Sequence, residues 1–132
     1  MGKLITLKCN KCGYENNLGI GTGMLFFDFE KVIELFETET QEKIRKAADP
    51  TGERSWEVYK EIGICANCKK ISAIAVFKTT DEAGNYIRYQ SKCECGGEAV
   101  LVDSGEILSG KRTVECPQCK AALEATINGT WD

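Results

Sequence analysis

Eight cysteines in four close pairs are the strongest constraint on how this chain can fold. The pairs are distributed along almost the whole 132-residue sequence, and no cysteine is left over. Two residues separate the cysteines in three of the pairs, and one residue separates them in the fourth. The pairs are Cys9/Cys12, Cys65/Cys68, Cys93/Cys95 and Cys116/Cys119. Because singly buried cysteines would not pair four times, the pattern indicates that the sulfurs meet at defined sites.

The pairing favours metal sites over disulfides or a redox dithiol. The first residues contain no apolar signal region, so we expect a cytoplasmic protein whose thiols stay reduced. A chain of this length can bury a core without covalent staples. A thioredoxin-like dithiol would need a lone C-x-x-C near a βαβ pattern, which we do not find. The sequence therefore predicts two structural Zn²⁺ ions, each held by four cysteines, with iron as the alternative because four thiolates bind both metals.

Residues next to the cysteines favour tight turns. Gly13 follows Cys12, and Gly96 follows Cys95, where a turn can require positive φ. Lys69 and Lys120 occupy the position that Gly13 holds in the first pair. We therefore expect those two turns to accommodate a side chain where glycine is the easier choice.

The pairs resemble the knuckles of zinc-ribbon and rubredoxin-like proteins. The resemblance lies in Cys9-Asn10-Lys11-Cys12-Gly13-Tyr14 and in Cys116-Pro117-Gln118-Cys119, with strand-like sequence beside each. The chain is also similar to small uncharacterised bacterial proteins that carry several such knuckles. The resemblance implies a small, β-rich α+β fold with two zinc-ribbon lobes of short antiparallel hairpins. It implies a metal site more strongly than any activity.

The four pairs can be joined into two sites in three ways. A predicted hairpin with strands at 98–102 and 111–115 favours sequential sites. These would be Cys9/Cys12/Cys65/Cys68 and Cys93/Cys95/Cys116/Cys119, and the shorter loop closure favours them slightly. A second predicted hairpin, with strands at 71–79 and 86–91, instead favours a nested arrangement in which the inner two pairs meet. We prefer the sequential grouping and leave the nested one open.

Sequential grouping implies a division of the chain near residue 80. Residues 1–80 would form the first ribbon with an inserted helix, and residues 81–132 the second. One compact domain is the alternative at this chain length.

Residues 29–48 carry the clearest helical pattern, with apolar residues recurring on one face. Asp28 is the expected N-cap, and Asp49-Pro50 is the expected stop. Thr38 and Thr40 can divide the segment into two shorter helices. The simplest interpretation is a helix that covers one face of a sheet. We also expect the Trp131 indole to pack against a sheet, since a free ring would leave a large apolar surface in water.

Catalysis is not favoured. Histidine is absent, so Ser-His-Asp and Cys-His arrangements are excluded, and a closed four-thiolate site cannot activate water. The stretch Gly19 to Gly23 lacks the Lys-Ser/Thr ending of a phosphate loop, so we expect only a bend or an edge-strand kink there. These observations favour an interaction or adapter module, with a protein or a nucleic acid as its partner.

Charge argues against nonspecific nucleic-acid binding. Acidic residues number 20 and basic residues 17, and two loaded four-thiolate sites would lower the net charge from −3 to about −7. Basic and aromatic residues interleave on the predicted middle hairpin, at Phe77, Lys78, Tyr86, Arg88 and Tyr89. Such residues can stack on bases, although on a hairpin they are more often cross-strand pairs. A nucleic-acid-binding zinc ribbon and a rubredoxin-like electron carrier therefore remain the alternatives.

Overall fold

The structure is a computed structural model that describes residues 2–22, 28–47, 56–80 and 83–131. The apolar run at 24–27 and the expected helix stop at Asp49-Pro50 lie outside these residues. So does part of the turn expected at 81–85.

Two antiparallel sheets dominate the described residues, and three short helices accompany them. This arrangement confirms the α+β class and the β-rich character. The strands are β1 (Gly2–Lys8), β2 (Glu15–Ile20), β3 (Trp56–Cys65), β4 (Ile71–Thr80), β5 (Tyr86–Gln90), β6 (Ala99–Val102) and β7 (Glu124–Trp131). The helices are α1 (Phe29–Ile33), α2 (Thr38–Ala47) and α3 (Ser104–Leu108).

The same three-strand arrangement occurs in both sheets. In the first sheet, β1 lies at the centre between its hairpin partner β2 and the distant strand β7. In the second sheet, β3 lies between its hairpin partner β4 and the later strand β6, and β5 extends the sheet beyond β4. The chain of the second sheet is inserted between β2 and β7 of the first. The boundary expected near residue 80 falls between β4 and β5, which pair with each other.

One apolar core joins the two sheets. It combines side chains of the first sheet, such as Ile5 and Leu7, with those of the second, such as Ile62 and Ile71. A backbone bridge between Gly21 and Lys60 links the sheets, with N···O distances of 2.8 and 2.9 Å. Gly21, directly after edge strand β2, has φ of +88°, in the left-handed region that favours glycine.

The segment predicted as helical forms α1 and α2, so the predicted division is confirmed. Asp28 caps α1, because its side chain accepts a hydrogen bond from the amide of Glu30. Both helices pack against the second sheet, where the rings of Phe36 and Phe77 meet edge to face with centroids 6.4 Å apart. None of the helices in the described part of the chain has the length and apolar character that a membrane span requires.

The hairpin predicted between residues 98 and 115 is wrong. Strand β6 forms as expected, but it pairs with β3. Asp103 then starts α3, because its Oδ1 accepts hydrogen bonds from the amides of Gly105 and Glu106 at 2.8 and 3.3 Å. Asp103 thus begins a helix where the predicted hairpin would turn, and no strand forms at 111–115 in the described part of the chain.

The Trp131 indole packs against the first sheet, as predicted. Its Nε1 donates to the carbonyl of Ile20 at 2.9 Å, and Lys60 lies over the ring at 5.6 Å. A Cβ on Gly2 would overlap this ring, and a Cβ on Gly19 would lie 3.2 Å from Nε1. The indole therefore packs in the space that the absent side chains of Gly2 and Gly19 leave open.

A substitution of Gly63 in β3 would show how closely the second sheet is packed. A Cβ there would overlap Cγ1 of Ile74 and lie 3.1 Å from Cβ of Ala99. We predict that Gly63→Ala lowers the free energy of unfolding by about 1–3 kcal/mol, because the core must shift to make room. Chemical denaturation of the metal-loaded protein measures the change. Gly129→Ala is the matched control, since its Cβ would meet only Cδ1 of Leu4 at 3.6 Å. Equal losses in both variants would contradict the packing argument.

Candidate metal centres

The eight cysteines form two groups of four in space, and every sulfur within a group lies within 4.8 Å of the others. The outer site joins the first and last pairs: Cys9, Cys12, Cys116 and Cys119. The inner site joins the second and third pairs: Cys65, Cys68, Cys93 and Cys95. All eight cysteines are free thiols. The grouping is therefore nested.

The preferred sequential grouping, Cys9/Cys12/Cys65/Cys68 with Cys93/Cys95/Cys116/Cys119, is wrong. The loop-entropy advantage behind it grows only slowly with length. Strand pairing decides the outcome: β1 pairs with β7 from Gly2–Trp131 to Lys8–Glu124, with a one-residue shift after Leu4, and this pairing brings the first and last cysteine pairs together. In the same way β6 pairs with β3, and Ala99 lies opposite Cys65.

Both sites have the spacing expected of a four-thiolate metal centre. The closest sulfurs in the outer site are Cys9–Cys119 at 3.4 Å and Cys12–Cys116 at 3.6 Å. A tetrahedron with metal–sulfur bonds of about 2.3 Å has edges of about 3.8 Å. These sulfurs are too far apart for disulfides and close enough to share one ion.

The inner site repeats this cross-pairing. Its closest sulfurs are Cys65–Cys95 at 3.4 Å and Cys68–Cys93 at 3.5 Å. In each site, the first cysteine of one pair therefore lies near the second cysteine of the other. The inner site therefore also has the geometry to hold one metal ion with four sulfurs.

Each cysteine pair lies in a tight turn closed by backbone hydrogen bonds. In the first turn the amide of Cys9 donates to the carbonyl of Tyr14, and the amide of Gly13 donates to the carbonyl of Cys9. The turns at Cys65 and Cys116 repeat both bonds. The turn at Cys93 is one residue shorter, and the amide of Cys93 donates to the carbonyl of Gly97 at 3.0 Å. The one-residue departure in the third pair is thus absorbed within the turn.

The residue after each second cysteine has a left-handed backbone. Gly13 and Gly96 have φ of +82° and +83°, whereas Lys69 and Lys120 both have φ of +66°. The sequence had predicted that these lysines occupy a glycine-like position, and the structure confirms it. A side chain in this conformation costs roughly 1–2 kcal/mol relative to right-handed backbone.

Backbone N–H groups stabilise thiolates in the outer site. The N–H of Cys12 lowers the pKa of Cys9 to about 6. Burial raises the pKa of Cys116, but N–H groups from Cys119 and its neighbour bring it below its ordinary value. The pKa of Cys12 stands at about 12: the N–H of Tyr14 lowers it, but burial and the neighbouring sulfurs together raise it further.

The inner site likewise combines thiols of lowered pKa with one thiol of raised pKa. The N–H of Cys68 lowers the pKa of Cys65, and the N–H of Gly97 lowers the pKa of Cys95 to about 6. The N–H of Lys70 lowers the pKa of Cys68, yet neighbouring sulfurs and burial raise it to about 12. A cation bound by all four sulfurs must displace such protons, so metal affinity falls as the pH falls.

Four residues lie beside the sulfurs of the inner site, and sequence reasoning assigned no role to two of them, Asn67 and Glu94. The Asn67 side chain donates to Sγ of Cys95 at 3.7 Å. A Cβ on Gly97 would lie 2.9 Å from Sγ of Cys65, so only glycine fits there without a shift. Lys70 pairs with Glu94 at 2.9 Å beside the sulfurs. The signal for Asn67 and Glu94 was their position between the two cysteines of a pair.

The basic and aromatic residues of the middle hairpin are placed unevenly. The hairpin itself, β4 with β5, is confirmed. Phe77 is fully buried under the helices, so it cannot stack on a base. Lys78 lies over the Tyr59 ring at 5.3 Å and opposite Arg88. Tyr86 is 85% exposed.

Comparison with known proteins gives no relative for this chain. No family model, no curated protein and no solved structure matches it. The site must therefore be interpreted from its own geometry.

The nested grouping predicts which cysteines share an ion. Cys9→Ser and Cys116→Ser should each release the same single ion and leave the other bound, because both remove a ligand of the outer site. Cys65→Ser and Cys93→Ser should each release the other ion. Native mass spectrometry counts the ions, and the amide NMR signals of residues near the retained site identify it. Loss of one common ion from Cys9→Ser and Cys65→Ser would contradict nesting.

The left-handed lysines predict an unusual gain in stability. Lys69→Gly and Lys120→Gly should each raise the free energy of unfolding by up to about 1 kcal/mol, because relief of the strained φ exceeds the entropy cost of glycine. The reverse change at the equivalent position, Gly13→Lys, should lower it by a similar amount. Denaturant unfolding of the metal-loaded variants measures all three. Destabilisation by both lysine replacements would show that the side chains themselves support the turns.

Proposed function

We propose that this chain is a structural zinc protein that acts as an interaction module, with two zinc-ribbon-like lobes nested one inside the other. The observation that carries the proposal is the pair of four-sulfur groups, each within 4.8 Å. The donor set fits Zn²⁺, because four thiolates complete a closed tetrahedron with no position left for a substrate. When bound, the metal would supply a cross-link between chain segments.

The position of each site supports a structural role. The outer site would tie the β1–β2 turn to the segment that enters β7, and the inner site would tie the β3–β4 turn to the segment that enters β6. Each ion would thus fix the third strand of its sheet against the central one. Zinc held by four cysteines can contribute about 10 kcal/mol to the apparent stability of such a unit.

A protein partner in the cytoplasm fits these properties best. Reduced cysteines require a reducing compartment. The negative net charge disfavours nonspecific contact with nucleic-acid phosphates. Two rigid metal centres on one fold would present fixed surfaces, which lowers the entropy cost of binding a partner.

An iron-loaded electron carrier is the second candidate, and one observation favours it. The second cysteine of both inner-site pairs, Cys68 and Cys95, is exposed, as is Cys12 of the outer site. Four thiolates with exposed sulfur also suit a surface electron-transfer site for iron. Absorption spectra distinguish the metals, because ferric thiolate centres are coloured and zinc centres are not. A colourless protein purified aerobically from iron-replete cells would exclude this candidate.

A nucleic-acid-binding ribbon is the third candidate, favoured by exposed Tyr86 and by the like-charge pair Lys78–Arg88. Such binding would weaken steeply as salt rises. Fluorescence anisotropy with labelled single strands, using Tyr86→Ala against wild type, tests it. Binding that is absent at low salt, or unchanged in the variant, would exclude this surface.

Metal removal should unfold the protein. We predict two Zn²⁺ per chain by elemental analysis and loss of the β-sheet circular dichroism signal on treatment with a strong chelator. Acidification should have the same effect, because protons compete with the metal for the thiolates. Readdition of Zn²⁺ at neutral pH under reducing conditions should restore the signal. A chain that keeps its cooperative thermal transition without metal would contradict the structural role.

A further inference from the structure

A cavity lies between two of the four metal turns, the one at Cys65–Cys68 and the one at Cys116–Cys119. Its volume is about 470 Å³, which lies within the range of small-molecule sites. The floor is apolar and is formed by Ile64, Ile71, Val102 and Val114. Ile71, Val102 and Val114 are buried core residues, so the floor is held in place by the shared core.

Three cations line the same cavity. Lys69 follows the second cysteine pair, in the inner site, and Lys120 follows the fourth pair, in the outer site. Arg112 lies in the segment after α3. Glu115 and Cys116, a ligand of the outer site, also line it, so the three cations face one carboxylate and one sulfur of the metal centre. The grouping of three cations stands out because the whole chain has a formal charge of −3. An apolar floor with a cationic wall is complementary to an anion that carries an apolar body.

The backbone of the two lysines provides an independent observation. Four equivalent turns each place one residue in the left-handed region, and glycine fills this position at Gly13 and Gly96. Lysine fills it at Lys69 and Lys120, and both of these residues line the cavity. Strain of this kind concentrates at functional sites. Lysine side chains thus stand at the two turns that border a common cavity, where the Lys69 ammonium also donates to the carbonyl of Ala66 at 3.1 Å.

We propose that this cavity binds a small amphipathic organic anion, with the apolar body on the floor and a phosphate or carboxylate group held by Lys69, Arg112 and Lys120. No aromatic residue is among the residues that line the cavity in the described part of the chain. A nucleic-acid base would therefore find no ring to stack on, which argues against an oligonucleotide at this place. The two metal sites would act as the fixed walls of the binding site.

Isothermal titration calorimetry of the metal-loaded protein tests the proposal, with 1-naphthyl phosphate and decanoate as probes of the two head groups. We expect saturable binding of at least one probe, and much weaker binding of inorganic phosphate and of 1-naphthol. Lys69→Gly and Lys120→Gly should each weaken the binding of that probe about tenfold, the effect of one charge-assisted hydrogen bond. Lys11→Ala is the matched control, because Lys11 lies in a metal turn that does not line the cavity, and it should change the affinity less than twofold.

Metal content and the unfolding midpoint are measured for every variant, so that loss of binding is separated from loss of the fold. Thr113→Trp provides a second approach, because Thr113 is an exposed lining residue whose enlargement would fill the cavity. This variant should keep two metal ions and lose the probe. Absence of saturable binding for both probes would overturn the proposal. Equal affinity of wild type, Lys69→Gly and Lys120→Gly would overturn it as well, as would binding confined to oligonucleotides.

Discussion

The meeting of four sulfurs at each site is the constraint on which the rest of the structure depends. Each site joins the turn of a hairpin to the start of a strand that pairs with the hairpin's first strand. Because backbone N–H groups point at the sulfurs, the turn that positions a ligand also stabilises its charge. Strand register and ligand position are thus set by the same few residues, and a change in one displaces the other.

Nesting gives the two sites unequal roles. The inner sulfur contacts join residues 25 and 30 positions apart, whereas the outer contacts join residues 104 and 110 apart. Closing the longer loop costs more entropy, although the excess grows only slowly. The inserted segment carries its own sheet and site, so the outer site closes around a part that can already be ordered. The bridge between Gly21 and Lys60 and the shared core then couple the two halves.

The sequence was sufficient for features that depend on neighbouring residues. The four pairs, the glycine-like positions of Lys69 and Lys120, the divided helix and the β4–β5 hairpin all follow from local chemistry. The grouping of the pairs does not, because it depends on β1 finding β7 across the chain. The residues after β6 were also ambiguous, since Asp103 suits a turn and an N-cap equally well. The cavity could not be foreseen, because its walls come from four separate segments.

Metal sites explain how the fold tolerates features that would otherwise destabilise it. Each four-thiolate centre with a divalent ion would carry a net charge of about −2, which favours nearby cations. Lys70 meets that need at the inner site, where Glu94 and the sulfurs of Cys93 and Cys68 raise its pKa. Lys69, the residue before it, lines the cavity despite its strained backbone, and its Nζ donates to the carbonyl of Ala66 at 3.1 Å. A fold held by ligand bonds can keep such a strained, charged residue, because the stability that the metal contributes far exceeds the roughly 1 kcal/mol that glycine would recover.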